Sequence, residues 1–475
     1  MSRRATPART FEIFAVLLAA GSCFAIAQTL VVPALPEITE KFDTSATSAS
    51  WLFTGFLLSA AVATPIAGKL GDVYGKGQVL IWVLVIYAAG GVICALATGI
   101  GPMIGGRILQ GVSGGVYPLA YAIVKETFPA EKVPNGLSMV SVLVGFGGAV
   151  GLLVAGPIID HLGIPWLFWT SLIALPTALA TWVLIPSTRA APGTRVDWPG
   201  AALLSAALAS CLLAITRAND WGWASAPTIG LFGAGLALAV LWLRYEGRVA
   251  QPIMELRLLR QPTVLAVNVA ALLLGSAVYV GFLLIPQIAH APTATGYGLG
   301  YSVTEAGLMV LPLTGLQLGA GPLASVVGRR IGFRATLILG TGLASVSLVL
   351  LAATYDQVWG LLVAGAGIGI GIAFAFAALA NLVVDSVPDG DVGIATGINT
   401  VFRTVGGAFG TAIATAILTS GLQASTGLPE GSGYTWAFVV AAAGGVAATV
   451  AALRVPSRPL EKRGGRLAPL PQEIP

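Results

Sequence analysis

The sequence predicts an all-α integral membrane fold with 14 transmembrane helices, grouped as two six-helix bundles with two inserted linker helices. Three observations carry this. Of 475 residues, 56% are hydrophobic and only 9% charged, against about 25% charged in soluble proteins. The apolar residues fall in runs of about 16–27, the length a helix needs to cross a bilayer. With both termini cytoplasmic, all of the 25 Lys and Arg fall inside except Lys41 and Arg217 outside and Arg107 and Arg403 within spans, as the positive-inside rule requires.

The runs lie near 11–33, 49–67, 79–97, 103–124, 136–159, 166–185, 199–216, 226–243, 262–288, 304–327, 335–353, 358–384, 393–419 and 435–453. They divide the chain into a cytoplasmic tail (1–10), an N-terminal bundle (11–186), two inserted helices with a cytoplasmic linker (187–261), a C-terminal bundle (262–455) and a second cytoplasmic tail (456–475). The net charge of +5 follows from the inside loops and is no nucleic-acid footprint. Cys23, Cys94 and Cys211 all sit in apolar runs, as small core residues rather than a disulfide framework. His161 and His290 are far apart, so no metal-ligand cluster is expected.

Span one ends in Thr29-Leu-Val-Val-Pro33-Ala-Leu-Pro36, whose prolines stop a helix as it leaves the bilayer. Spans two and three are joined by the short polar hinge Gly68-x-Leu70-x-Asp72-x-x-Gly75-Lys76. Gly75 permits a tight reversal, Gly68 lets a neighbouring helix approach, and Asp72 accepts from a helix N-terminus or pairs with a cation. This hinge resembles the loop between the second and third helices of the major facilitator superfamily of secondary transporters. The resemblance implies that Gly68, Asp72, Gly75 and Lys76 form a conformational latch between the bundles. Arg3, Arg4, Arg9 and the Ala25-Ile26-Ala27 triplet resemble a signal peptide, but the Thr29 to Pro36 segment that follows is similar to a transporter motif, which implies that the first helix is retained.

The end of span one is similar to the first-helix motif of the fourteen-helix drug:proton antiporter branch. Ala27 stands where that branch has an acid, and Val32 where it has an asparagine. Span four carries Arg107, Gln110 and Gly111 in the spacing of the superfamily's fourth-helix motif, with Arg107 and Gln110 on one face. An intramembrane arginine faces a bundle interior or a cavity by default. The alternative is an anchor that snorkels to the interface.

Span five presents Gly147, Gly151 and Ala155 at i, i+4 and i+8, with Gly148 and Gly156 alongside, a small-residue stripe for close helix packing. It resembles the antiporter motif of the superfamily's fifth helix in part, since Leu152 occupies the proline position and Pro157 comes later. Beyond it, Trp166, Phe168 and Trp169 suit the outer interface. The two inserted spans open at Asp197-Trp198-Pro199-Gly200 and are separated by Trp221-Gly-Trp223, and residues 244–262 are amphipathic enough to lie on the cytoplasmic surface. Such an insertion is again similar to the fourteen-helix exporters. In the second half, Val327-Gly-Arg329-Arg330-Ile-Gly332-Phe-Arg334 repeats the hinge with its later glycine, as internal duplication requires. Span thirteen holds Thr396, Gly397, Asn399, Arg403, Gly406 and Gly407, similar to the penultimate helix of the antiporter branch.

These features point to a secondary active transporter, with proton-coupled efflux of a small organic or drug-like molecule by alternating access. The alternatives are uptake or exchange of a metabolite, or an intramembrane enzyme, which lacks a nucleophile with a base, a carboxylate pair or a metal cluster in the spans. No P-loop for ATP is present. Cavity or coupling residues are Arg107, Gln110, Arg403 and Asp160, the last beside His161. Residues expected to line the substrate path are Gln28, Thr54, Tyr121, Asn268, Tyr279, Gln287, Gln317, Asn381 and Asn399. Each also serves as interhelical hydrogen-bond glue in the plainer reading. Two arginines inside the spans with no mid-span carboxylate favour neutral or anionic substrates. The expected partners are a small molecule and the lipid bilayer. The expected energy source is a proton gradient with no cofactor, and the expected state a monomer in the bacterial inner membrane.

Overall fold

The computed structural model describes residues 7–31, 34–44, 46–186, 196–249, 252, 261–388, 392–421 and 428–456. Among them the regular elements are all helical, with no β-strand. The first half comprises α1 (Pro7–Leu30), α2 (Leu35–Lys41), α3 (Ala46–Tyr74), α4 (Lys76–Ala95), α5 (Ile100–Gly111), α6 (Val116–Thr127), α7 (Val133–Leu162), α8 (Ile164–Trp169) and α9 (Ala174–Leu184). Two further helices follow, α10 (Trp198–Trp221) and α11 (Ala226–Glu246). The second half comprises α12 (Pro262–His290), α13 (Val303–Leu308), α14 (Leu311–Ile331), α15 (Phe333–Thr354), α16 (Val358–Ser386), α17 (Val392–Thr419) and α18 (Gly431–Leu453).

Among the described residues 12 helical segments are long and apolar enough to cross a membrane. Large apolar side chains such as Trp82, Trp182, Leu236, Val346 and Trp436 are exposed on them, the surface that lipid solvates. The chain is a multi-pass membrane protein. Two of the 14 predicted runs are not among the 12. The run 103–124 is broken by a 3-10 turn at Val112–Gly115, between α5 and α6. Pro118 supplies the cause, since it has no N–H to give the carbonyl of Gly114, and three glycines nearby weaken the helix further. The run 136–159 lies in α7, a single helix of 30 residues, several of whose side chains are outside the described residues.

The same turn joins helices in both halves. Gly75 alone separates α3 from α4 with φ 97°, and Gly332 alone separates α14 from α15 with φ 87°. A positive φ with an extended ψ is a conformation that side-chain-bearing residues avoid, so a single glycine here reverses the chain.

The halves also share a way of packing. On α7, Gly147 and Gly151 leave room for the backbone of α1 at Ala25, Ile26 and Leu30. On α17, Gly406 and Gly410 do the same for the backbone of α12 at Leu272 and Ser276, and Gly275 receives the main chain of Arg403. A Cβ at Gly406 or Gly410 would collide with a carbonyl of α12. Ala155 is buried as expected of the stripe, whereas Gly156 is half-buried and Pro157 exposed, so the stripe stops at position 155.

The pair α10 and α11 lies across the seam between the halves. Leu212 and Ile215 of α10 pack with Ala61 of α3 and Ala412 of α17. Trp242 of α11 packs against Ile398 and Phe402 of α17, and Phe232 stacks on Phe409 at 6.2 Å between ring centroids. Of the predicted surface linker 244–262, residues 250–251 and 253–260 lie outside the described residues. Both predicted tails lie outside too, apart from 7–10 and 456.

Candidate functional site

Among the described residues Arg107 is the largest fully buried side chain. Helix α5 aims it into the first half, where its Nε donates to the carbonyl of Leu52 at 2.8 Å, one terminal nitrogen to Gln110 Oε1 at 2.9 Å and the other to the carbonyl of Ala27 at 3.0 Å. Its face rests on Phe56 at 4.4 Å from the ring centroid. All three guanidinium nitrogens are therefore engaged by α1, α3 and its own helix, and Gln110 is its partner. Arg107 is thus a staple that ties three helices together rather than a snorkelling anchor, and with Gln110, Ala27, Tyr87 and Phe168 it also lines a small space in the first half. Ala27, the position where the resembled motif carries an acid, contributes its main-chain carbonyl instead.

Arg403 differs. Helix α17 buries it to 3% exposure, with its guanidinium over Phe376 at 4.3 Å from the ring centroid and the Tyr121 hydroxyl beside it. Its Nε is buried without a hydrogen-bond partner. Tyr121 shares a hydrogen bond with Ser141 at 3.0 Å. One turn away, Asn399 Nδ2 donates to Asn268 Oδ1 at 3.0 Å, which leaves Asn268 Nδ2 buried and unpaired. Tyr121, Phe376, Asn399 and Arg403 line a gap between the halves that is too narrow to admit a water molecule. The centre is closed.

The predicted latch residues come together, but within one half. Lys76 Nζ lies 3.1 Å from Asp72 Oδ1 and 2.5 Å from Glu126 Oε1 at the end of α6. The three side chains are 8%, 15% and 25% exposed, so the pairs are largely shielded from water. Gly68 is buried beside them, and Gly71 faces Leu119 of α6. Asp72 thus locks the ends of α3, α4 and α6, and among the described residues the ion pairs do not cross to the second half. Glu126 was invisible to the sequence reading because nothing in its local pattern places it next to Lys76.

The crossing is made by neutral groups at the same end of the molecule. Asn381 Nδ2 of α16 donates to Ser138 Oγ of α7 at 3.3 Å and to its own helix at Ala377 O at 2.8 Å. Ser325 Oγ of α14 donates to Asn135 Oδ1 of α7 at 2.9 Å. Asn381, expected to line the substrate path, is one of the groups that join the two halves. Gln28 and Gln317 are buried, Tyr279 is half-buried against Gly407, and Gln287 is exposed at the far end of α12. The side chains of Thr54 and Asp160 lie outside the described residues, and His161 is exposed. Two further carboxylates lie at the start of α10 and the end of α11. Asp197 caps α10, accepting from Gly200 N and from the Tyr245 hydroxyl at 3.1 Å each, and Glu246 is buried nearby. The Asp-Trp-Pro-Gly start of α10 is the capping signal that marked the first of them.

The described residues form a helical membrane fold of two like-built halves that meet across a closed polar centre. The profile of the Major Facilitator Superfamily matches residues 17–316 and 267–472, and the chain belongs to that family. It is 31% identical over 355 residues to an MFS-type transporter of Mycobacterium tuberculosis, covering 73% of this chain and 50% of that one. It is 30% identical to the tetracenomycin C resistance and export protein of Streptomyces glaucescens, over 68% of this chain and 60% of that protein. The putative multidrug resistance protein MdtD of Salmonella heidelberg is 28% identical over 68% of each. The chain therefore spans about half the length of the mycobacterial relative. Among solved structures, the human organic anion transporter MFSD10 superposes with a TM-score of 0.67 at 17% identity, over 94% of this chain and 100% of that one. The proton:xylose symporter XylE gives 0.64 at 16%, over 95% and 97%.

Proposed function

We propose that this protein is a proton-coupled exporter of small organic, drug-like molecules that works by alternating access. The observation that carries the proposal is the contrast between stapled halves and a breakable seam. Inside the halves lie the Arg107 staple, the Lys76 ion pairs and the glycine-to-backbone seams. Between them at the Lys76 end are neutral hydrogen bonds such as Asn381 to Ser138, each worth only about 1 kcal/mol. Rigid bodies joined by weak contacts rock rather than deform.

In this reading the chain crosses the membrane 14 times, counting the broken run through α5 and α6 and the run in α7. Residues 11–186 and 262–455 are the rocking bundles, and α10 and α11 are a strap laid over one seam. The Lys76 end faces the cytoplasm, as do both termini, in the bacterial plasma membrane, and one copy suffices. Export is favoured over uptake by the likeness to the tetracenomycin C resistance and export protein. The proton gradient is the energy source, with Asp160 as the coupling group to test first. The working partners are a small molecule and lipid, not nucleic acid.

Everted membrane vesicles test this. Vesicles bearing the protein are expected to accumulate a tetracenomycin-type polyketide when acidified inside, and to lose it when a protonophore is added. Accumulation that ignores the protonophore, or equal accumulation in vesicles without the protein, overturns the reading.

A further inference from the structure

We infer that Arg403, with Asn268 and Asn399, forms an anion subsite that receives a carboxylate on an aromatic substrate. This deepens the transport reading and rests on it for the word substrate.

The argument begins with donors. Arg107 makes one hydrogen bond from each guanidinium nitrogen, to two carbonyls and an amide oxygen, which holds its fork in place. Arg403 keeps a buried Nε without a partner, and Asn268 keeps a buried Nδ2 without one. The Asn399 amide links the two, since it lines the same gap as Arg403 and is hydrogen-bonded to Asn268. A buried charge or donor left unpaired is costly, and the pairing that best offsets it is a planar anion with two acceptor oxygens. No carboxylate lines the space. Its remaining walls include the Phe376 ring, already stacked on Arg403, and Tyr121, which suit a flat aromatic body. A permanent cation there meets a fixed like charge at low dielectric. The site lies between the halves, with α6 and α7 on one side and α12, α16 and α17 on the other, so an anion seated in it touches both moving bodies.

The test uses the purified full chain and three aromatic probes of like size, 1-naphthoate, 1-naphthamide and (1-naphthylmethyl)trimethylammonium, with binding read from the concentration dependence of the melting temperature. Naphthoate is expected to stabilise the parental protein, and the other two are not. In Arg403→Gln the naphthoate affinity is expected to fall at least about tenfold, as loss of a charge-assisted hydrogen bond requires. Arg403→Lys keeps the charge without the planar fork and is expected to fall in between, and it carries the test if the glutamine variant does not fold. Naphthoate binding no better than naphthamide in the parental chain, or unchanged in both variants, overturns the subsite. Because the readout is binding, its failure is separate from that of the transport reading. A chain that binds naphthoate through Arg403 yet moves nothing in vesicles loses only the latter. A chain that exports a permanent cation undisturbed by Arg403→Gln loses only the subsite.

Discussion

Lys76→Met is expected to destabilise the protein and abolish transport together. Lys76 is the cation between Asp72 and Glu126, and its loss leaves two shielded carboxylates facing each other. Removing one partner of a buried ion pair costs about 3–5 kcal/mol, because the remaining charge stays desolvated. The carboxylates here keep 15% and 25% of their exposure, which reduces the figure to about 2–4 kcal/mol. The melting temperature in detergent should drop by on the order of 5 °C. Adding Asp72→Asn and Glu126→Gln to the same chain removes the repulsion and should restore most of that drop while leaving transport impaired. A Lys76→Met protein as stable as the parent would show that the triad does not hold α3, α4 and α6 together.

Arg107→Lys is expected to be the most damaging conservative change in the chain. An ammonium has no planar fork and cannot serve the carbonyls of Leu52 and Ala27 and the Gln110 amide in their fixed directions. Each charged hydrogen bond lost is worth about 1.5–3 kcal/mol. Losing two gives on the order of 3–5 kcal/mol, with the loss showing first as lower yield and melting temperature. The positive charge is conserved in this variant, so a role in charge recognition alone predicts a stable protein with altered substrate choice. Parental stability with lost transport would refute the staple and restore Arg107 to the substrate path.

Much of the architecture was legible because certain residue types are diagnostic at certain places. A lone glycine between two apolar runs announced the Gly75 turn. The i, i+4 glycines of span five announced the seam with α1, and Gly406 with Gly410 carried the same signal for α12, although that spacing was not read as a seam. Arginines inside spans announced buried functional groups. What they bind was not legible, because the acceptors of Arg107 are main-chain carbonyls at Ala27 and Leu52, and any residue supplies a carbonyl. The same limit hid the partner of Asn381. A single polar residue in an apolar run reports that a partner exists, but its depth and facing depend on how α7 lies against α16, which is a property of the packed halves. The break at Val112–Gly115 was readable from Pro118 and its glycines, and only the length of the surrounding apolar run concealed it.

The central claim is that two stapled halves rock about a weak gate at the Lys76 end, and a distance across that gate tests it most directly. Lys132 caps α7 and Pro388 follows α16, both exposed. Spin labels at cysteines placed there, in a chain whose 3 native cysteines are replaced by alanine, report the separation by electron–electron resonance in lipid nanodiscs. A short and a long population are expected. Asn135→Ala with Asn381→Ala, which removes the hydrogen bonds to Ser325 and Ser138, should shift weight toward the long one by roughly tenfold, as two contacts of about 1 kcal/mol allow. A single short distance, unmoved by the gate variants and by a change of pH, would contradict the account.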